Sequence, residues 1–130
     1  MITASQLLCH LIGDYFLQSE WMVRNKKQSV FVATVHGLVY SLPFLILDIT
    51  LLQYLLIATS HAVIDRWGEQ VIGGIVKLKN LISPLSGRVK NPNNYGFPEG
   101  TPDYVQFFVV IVIDNTLHIV CNALILSVLI

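Results

Sequence analysis

A chain of 130 residues has the size of one domain. Hydrophobic residues make up 54% of it and charged residues 12%, with a mean hydropathy of +0.64; a soluble domain this small could not hide so much apolar side chain. Eight Lys/Arg balance eight Asp/Glu, which excludes the basic excess of a nucleic-acid binder and the acidic excess of a disordered tail and leaves an integral membrane protein.

Spanning hydrocarbon takes about 20 mostly apolar helical residues, and four segments come close. The first, residues 2–19, is interrupted by Gln6, His10, Asp14 and Gln18. The second, 30–47, carries Pro43, a kink that membrane helices tolerate. The third covers 50–67. In the segment 69–90, Val71, Ile72, Ile75, Leu78 and Ile82 form an apolar stripe opposite Lys77 and Asn80, the pattern of a helix lying on the membrane surface. Residues 91–102 hold Pro92, Gly96, Pro98, Gly100 and Pro102 and read as an irregular loop. The fourth span covers 104–130. The expected fold is one all-α domain, an antiparallel bundle of four transmembrane helices with an interfacial helix before the last.

All the basic residues lie in two connections. Arg24, Lys26 and Lys27 separate spans one and two, and Arg66, Lys77, Lys79, Arg88 and Lys90 follow span three. By the positive-inside rule both connections are cytoplasmic and both termini face outward. Trp21, Trp67 and Tyr104 fall at the same boundary, where an aromatic belt belongs. The first six residues lack the basic region of a signal peptide, so no cleaved leader is expected.

Four histidines fall inside the spans, and three have an aspartate four residues away: His10 with Asp14, His61 with Asp65, and His118 with Asp114. Residues four apart share a helix face. Spans one and three run inward and read His then Asp, while span four runs outward and reads Asp then His. That reversal puts the aspartates in one layer near the cytoplasm and the histidines roughly 6 Å deeper. His36, alone on span two, falls at a similar depth.

Ionisable groups inside a membrane cost about 2.5–3.5 kcal/mol each even on an insertion scale, so seven of them require compensation. Interhelical hydrogen bonding explains a single pair well; three layered pairs favour a functional site. Imidazole and carboxylate together suit zinc, with iron or manganese as alternatives. The candidate ligands are His10, Asp14, His36, His61, Asp65, Asp114 and His118, for one metal or two. Asp14, Asp65 and Asp114 are also the candidate catalytic groups, to ligate, orient imidazoles or take a proton from water. Gln6, Gln18, Asn122 and Tyr40 extend these stripes as network partners or pocket lining. Cys9 and Cys121 lie in apolar stretches and give neither a disulfide framework nor a zinc-ribbon spacing.

The stretch His10-Leu11-Ile12-Gly13-Asp14-Tyr15-Phe16-Leu17-Gln18 resembles the opening motif of a domain-of-unknown-function family of small bacterial and phage inner-membrane proteins. Ser60 to Trp67 is similar to that family's second motif and Asp114 to His118 to its last, with Asn115 where the family usually has Gln. More distantly, the His/Asp pattern is similar to membrane-bound metal-dependent hydrolases, which implies a hydrolytic metal site.

The function expected is a metal-dependent hydrolase acting on a lipid or lipid-linked phosphate at the cytoplasmic leaflet. One alternative is a transporter or channel for a metal ion or protons. Another is a non-enzymatic, phage-type protein acting on host partners. The expected partners are membrane lipids and no nucleic acid, with a homo-oligomer left open.

Overall fold

In a computed structural model that describes residues 2–82, 97 and 100–128, every element is helical. They are α1 (Ala4–Leu11), running on into a wide π-helical turn (Ile12–Phe16), α2 (Glu20–Asn25), α3 (Val30–Ser41), running on into a 3-10 segment (Leu42–Leu47), α4 (Leu51–Ile82) and α5 (Asp103–Val128). The chain divides into two compact units, Met1–Arg66 with Thr116–Ile130 and Trp67–Asn115.

Local chemistry sets the helix starts. The Thr3 hydroxyl accepts from the Gln6 N–H while the Gln6 side chain accepts from the Thr3 N–H, both at 3.2 Å, a reciprocal cap that satisfies two otherwise orphaned donors. Gln6 is therefore used in the cap. Ser19 caps α2 and Ser29 caps α3, each accepting from the backbone N–H three residues on. Thr50 and Gln53 repeat the reciprocal cap at the start of α4. The link before it turns at Asp48, which is left-handed with φ 52°, a conformation that Asp tolerates better than most residues.

Two differences from the sequence expectation bear on the site. Residues 2–19 do not form one regular helix: the Leu17 N–H donates to the Ile12 carbonyl five residues back, at 3.0 Å. Such wide turns occur as single-turn insertions, often at functional sites. Secondly, the helix beginning at Leu51 does not stop near Trp67 to leave a separate surface helix. It continues through Gly73 and Gly74 to Ile82, a length of about 48 Å at 1.5 Å per residue. Two glycines cost helix stability but do not end it here. The remainder of the expected interfacial segment, 83–90, lies outside the described residues, as does most of the expected loop at 91–102.

Two helical runs, Val30–Leu47 and Asp103–Val128, are long and apolar enough to cross a membrane. In the first unit the usual distribution is partly inverted. Buried positions include His10, Asp14, His36, His61, Asp65 and His118, whereas Leu8, Phe16, Phe31, Leu45, Ile46 and Leu51 are exposed. Its apolar core is the small cluster Cys9, Tyr40, Phe44 and Ile57. In the second unit Ile72, Val76 and Phe97 pack with Val109, Val110 and Ile113.

Two close approaches hold the first unit together. A Cβ on Gly37 would collide with the carbonyl oxygen of Ala58, so only glycine lets α3 lie this close to α4. A Cβ on Gly13, in the wide turn, would collide with the Tyr40 carbonyl and come within 2.8 Å of its ring. Small residues at such crossings let membrane helices approach closely.

Candidate metal centre

The wide turn presents Asp14, α3 presents His36, α4 presents His61 and Asp65, and α5 presents His118; each is buried in the first unit. Their ligand atoms converge. His36 Nε2 is 3.0 Å from His61 Nε2 and 3.3 Å from both Asp14 Oδ1 and Asp65 Oδ2. His61 Nε2 is 3.2 Å from Asp65 Oδ2 and 3.7 Å from Asp14 Oδ1. His118 Nε2 is 3.7 Å from the other oxygen of the same carboxylate, Asp65 Oδ1. Two overlapping trios, Asp14–His61–His118 and His36–His61–Asp65, each bring three ligand atoms within 4.8 Å of one another.

These separations test whether a metal fits. Four ligands arranged tetrahedrally at the ~2.0–2.1 Å of zinc–nitrogen and zinc–oxygen bonds lie about 3.3 Å apart. The separations among His36, His61, Asp14 and Asp65 quoted above run from 3.0 to 3.7 Å. Two imidazole nitrogens 3.0 Å apart, with carboxylate oxygens 3.2–3.7 Å from them, have the spacing of ligands around one ion. The buried His/Asp groups could hold a metal ion.

The carboxylates approach Nε2, the ring nitrogens that converge, and not Nδ1. Among the described residues, the Nδ1 atoms of His36 and His61 have no hydrogen-bond partner. Asp14 and Asp65 thus face the converging ring nitrogens and do not stand behind the imidazoles. The two layers expected from the sequence merge for a simple reason. One turn apart on the same face of α4, the two side chains meet at their ends, His61 Nε2 and Asp65 Oδ2 at 3.2 Å.

His10 is buried but lies outside both trios. Its Nδ1 is 2.8 Å from the Tyr40 hydroxyl, which also accepts from Asn122 Nδ2 at 2.6 Å. The Tyr40 hydroxyl thus joins His10 and Asn122 in one network. The Tyr40 ring stacks on His61 with centroids 3.5 Å apart and planes inclined by 14°, so this network packs the face of a candidate ligand. Asp114 lies in the second unit, half-buried, with a carboxylate oxygen 3.5 Å from where a Cβ on Gly68 would stand. Gln18 donates to the Asp14 carbonyl at 2.8 Å and Cys9 donates to the Pro43 carbonyl.

Lys26 is the residue that sequence reasoning missed. Placed among the basic residues of a connection, it instead turns inward from the end of α2. Its ammonium is 3.0 Å from Asp65 Oδ2, 3.4 Å from His36 Nε2 and 3.9 Å from Asp14 Oδ1, and its side chain is only 13% exposed. The available signal was faint: Ser19 followed by Glu20 marks a helix start, and a short helix there returns the chain towards Asp14.

The fold and site define an all-helical protein with a buried cluster of His and Asp able to hold a metal. The chain belongs to the family described as protein of unknown function DUF3307, whose model matches residues 2–130. No curated protein and no solved structure matches it.

Proposed function

We propose that this is a four-span protein of a bacterial inner membrane and a metal-dependent hydrolase of lipid or lipid-linked phosphate esters. The observation that carries the reading is the convergence of His36, His61, Asp14 and Asp65 at separations of 3.0–3.7 Å. Membrane insertion is supported by the exposed apolar residues and the polar interior, since lipid reverses the usual reason for burying leucine and phenylalanine. Trp21, Trp67 and Tyr104 are exposed at the end of the spans where the basic connections lie, which supports a cytoplasmic position for that end.

Zinc is the ion best suited to two imidazoles and two carboxylates, with iron and manganese next. A bound divalent ion would lower the pKa of a coordinated water towards neutrality. His36, His61 and Asp65 would hold the ion, with His118 on the second oxygen of Asp65. Asp14, at the longest separation from His61, would take the proton of the attacking water. For a phosphate monoester, water would add to phosphorus as the ester P–O bond breaks, and the departing alkoxide would take up the proton that Asp14 removed from the water; the products are an alcohol and inorganic phosphate. The burial of the cluster keeps competing bulk water away from it.

The test is elemental analysis of protein purified in detergent without chelator, paired with release of inorganic phosphate from a lipid phosphate monoester. About one transition metal per chain and metal-dependent phosphate release are expected. Protein that carries no transition metal and gains no thermal stability with any would overturn the reading, because a ligand of the native state must stabilise it. Metal flux across proteoliposomes without phosphate release would replace the hydrolase with a transporter.

A further inference from the structure

Lys26 presents a problem of charge that the metal reading does not absorb. Asp14 and Asp65 supply two negative charges, which a divalent ion alone would balance. Yet the Lys26 ammonium already stands within 3.0–3.9 Å of an oxygen on each of those carboxylates and 3.4 Å from His36 Nε2. A metal seated on Asp65 Oδ2 would draw on the same oxygen that the ammonium now approaches most closely. Once the ion is seated, three positive charges face two carboxylates, and the ammonium shares its acceptors with a divalent cation while remaining nearby. Its backbone is fixed at the end of α2, where the Lys26 N–H donates to the Met22 carbonyl at 2.9 Å, and its side chain has little exposure. A largely buried excess positive charge beside a divalent cation is strongly unfavourable.

An anion restores the balance. A tetrahedral oxyanion can place one oxygen on the metal and another on the ammonium, and lysine serves as a point charge for phosphate in just this way. We propose that Lys26 and the metal together form a binding site for a phosphate group, in which Lys26 holds the phosphate and the metal makes Lys26 available to it. This rests on the metal reading of the cluster and adds to it the residue that recognises the substrate. Without metal, Lys26 occupies the cation position itself, as an internal competitor on Asp65 and His36.

The experiment uses the full chain in detergent, with metal content and phosphate binding measured separately. Wild-type protein loaded with zinc is titrated calorimetrically with inorganic phosphate and, in a second arm, with micelles containing a phosphatidic acid. Metal-loaded wild type binds phosphate at least tenfold more tightly than metal-free protein. Lys26→Gln keeps its zinc, holds it more tightly than wild type, and loses at least tenfold in phosphate affinity; Lys26→Arg retains most of it. A stronger response to the lipid than to the free ion makes the lipid headgroup the source of the phosphate; the reverse assigns the site to the free anion.

Lys26→Gln that holds zinc and binds phosphate as wild type does would overturn the role of Lys26 and leave the metal site standing. Wild-type protein that takes up no zinc would remove both. Should Lys26→Gln not fold, wild type alone decides, because equal phosphate affinity with and without zinc refutes the joint site.

Discussion

Gly37→Ala joins helix packing to the metal centre. The added Cβ would run into the Ala58 carbonyl oxygen and stand 3.2 Å from Ala62 Cβ. Backbone cannot rotate away as a side chain can, so α3 must withdraw from α4 by roughly 1 Å to restore ordinary van der Waals separation. His36 is the neighbour of Gly37 on α3, and its Nε2 lies 3.0 Å from His61 Nε2 on α4. The same withdrawal would open that distance to about 4 Å, beyond the ~3.3 Å between neighbouring ligands of one tetrahedral ion. Two effects follow together. Overpacking costs about 1–3 kcal/mol of stability, and metal affinity drops roughly 10- to 100-fold, as it does when the support of a ligand is disturbed. The assay is thermal unfolding in detergent with and without zinc, plus metal content of the folded fraction. Gly73→Ala is the control, since a Cβ there meets nothing within 4 Å and should add about 0.5–1 kcal/mol to the helix. If Gly37→Ala matched that control in both stability and metal retention, the close crossing of α3 and α4 would not be what sets the ligand geometry.

Three further outcomes are expected. His61→Gln, which keeps a hydrogen-bonding group but is a poor zinc ligand, should lose metal almost as fully as His61→Ala; full metal retention in His61→Gln and Asp65→Asn would rule these residues out as ligands. Tyr40→Phe should keep its metal and its stacking on His61, yet lose about 1–3 kcal/mol of stability because Asn122 and His10 lose their shared hydroxyl; loss of metal in this variant would bring the His10 network into the site. A reporter fused after Ile130 should be active outside the cytoplasm, and activity confined to the cytoplasm would end the proposed orientation.

Much of the site was legible because burying charge in an apolar chain is costly, so each His and Asp inside a span signals its own importance. The i, i+4 pairing of His61 with Asp65 survives in the fold as a 3.2 Å contact, since a regular helix connects them. The corresponding pair in residues 2–19 does not behave alike. Between His10 and Asp14 the helix widens, His10 bonds Tyr40, and Asp14 meets His36 and His61. No residue preference announces a π-helical turn, whose position depends on what packs against it. The continuation of α4 past Trp67 was hidden for a different reason: Gly73 and Gly74 lower local helix propensity, and tertiary packing of Ile72 and Val76 outweighs that.

Gly13 and Lys26 show how the remainder of the site depends on the fold. In the stretch from His10 to Gln18, glycine looks like a helix weakness. In the fold it is the point where the wide turn lies against the backbone of Tyr40, and that contact fixes the height of Asp14 relative to His36. After the turn the chain leaves the helix, is capped by Ser19, and within α2 returns far enough to send the Lys26 ammonium to Asp65. A basic residue in a connection reads as a mark of orientation when only its position along the chain is known. The same residue joins the candidate site once the turn before it is known, because the six residues between Ser19 and Lys26 form the short helix α2, whose end places Lys26 beside Asp65. Under the proposed topology and the proposed phosphate site, orientation and recognition are compatible duties for Lys26: a cation at the cytoplasmic boundary would also be the one that meets a phosphate arriving from that leaflet.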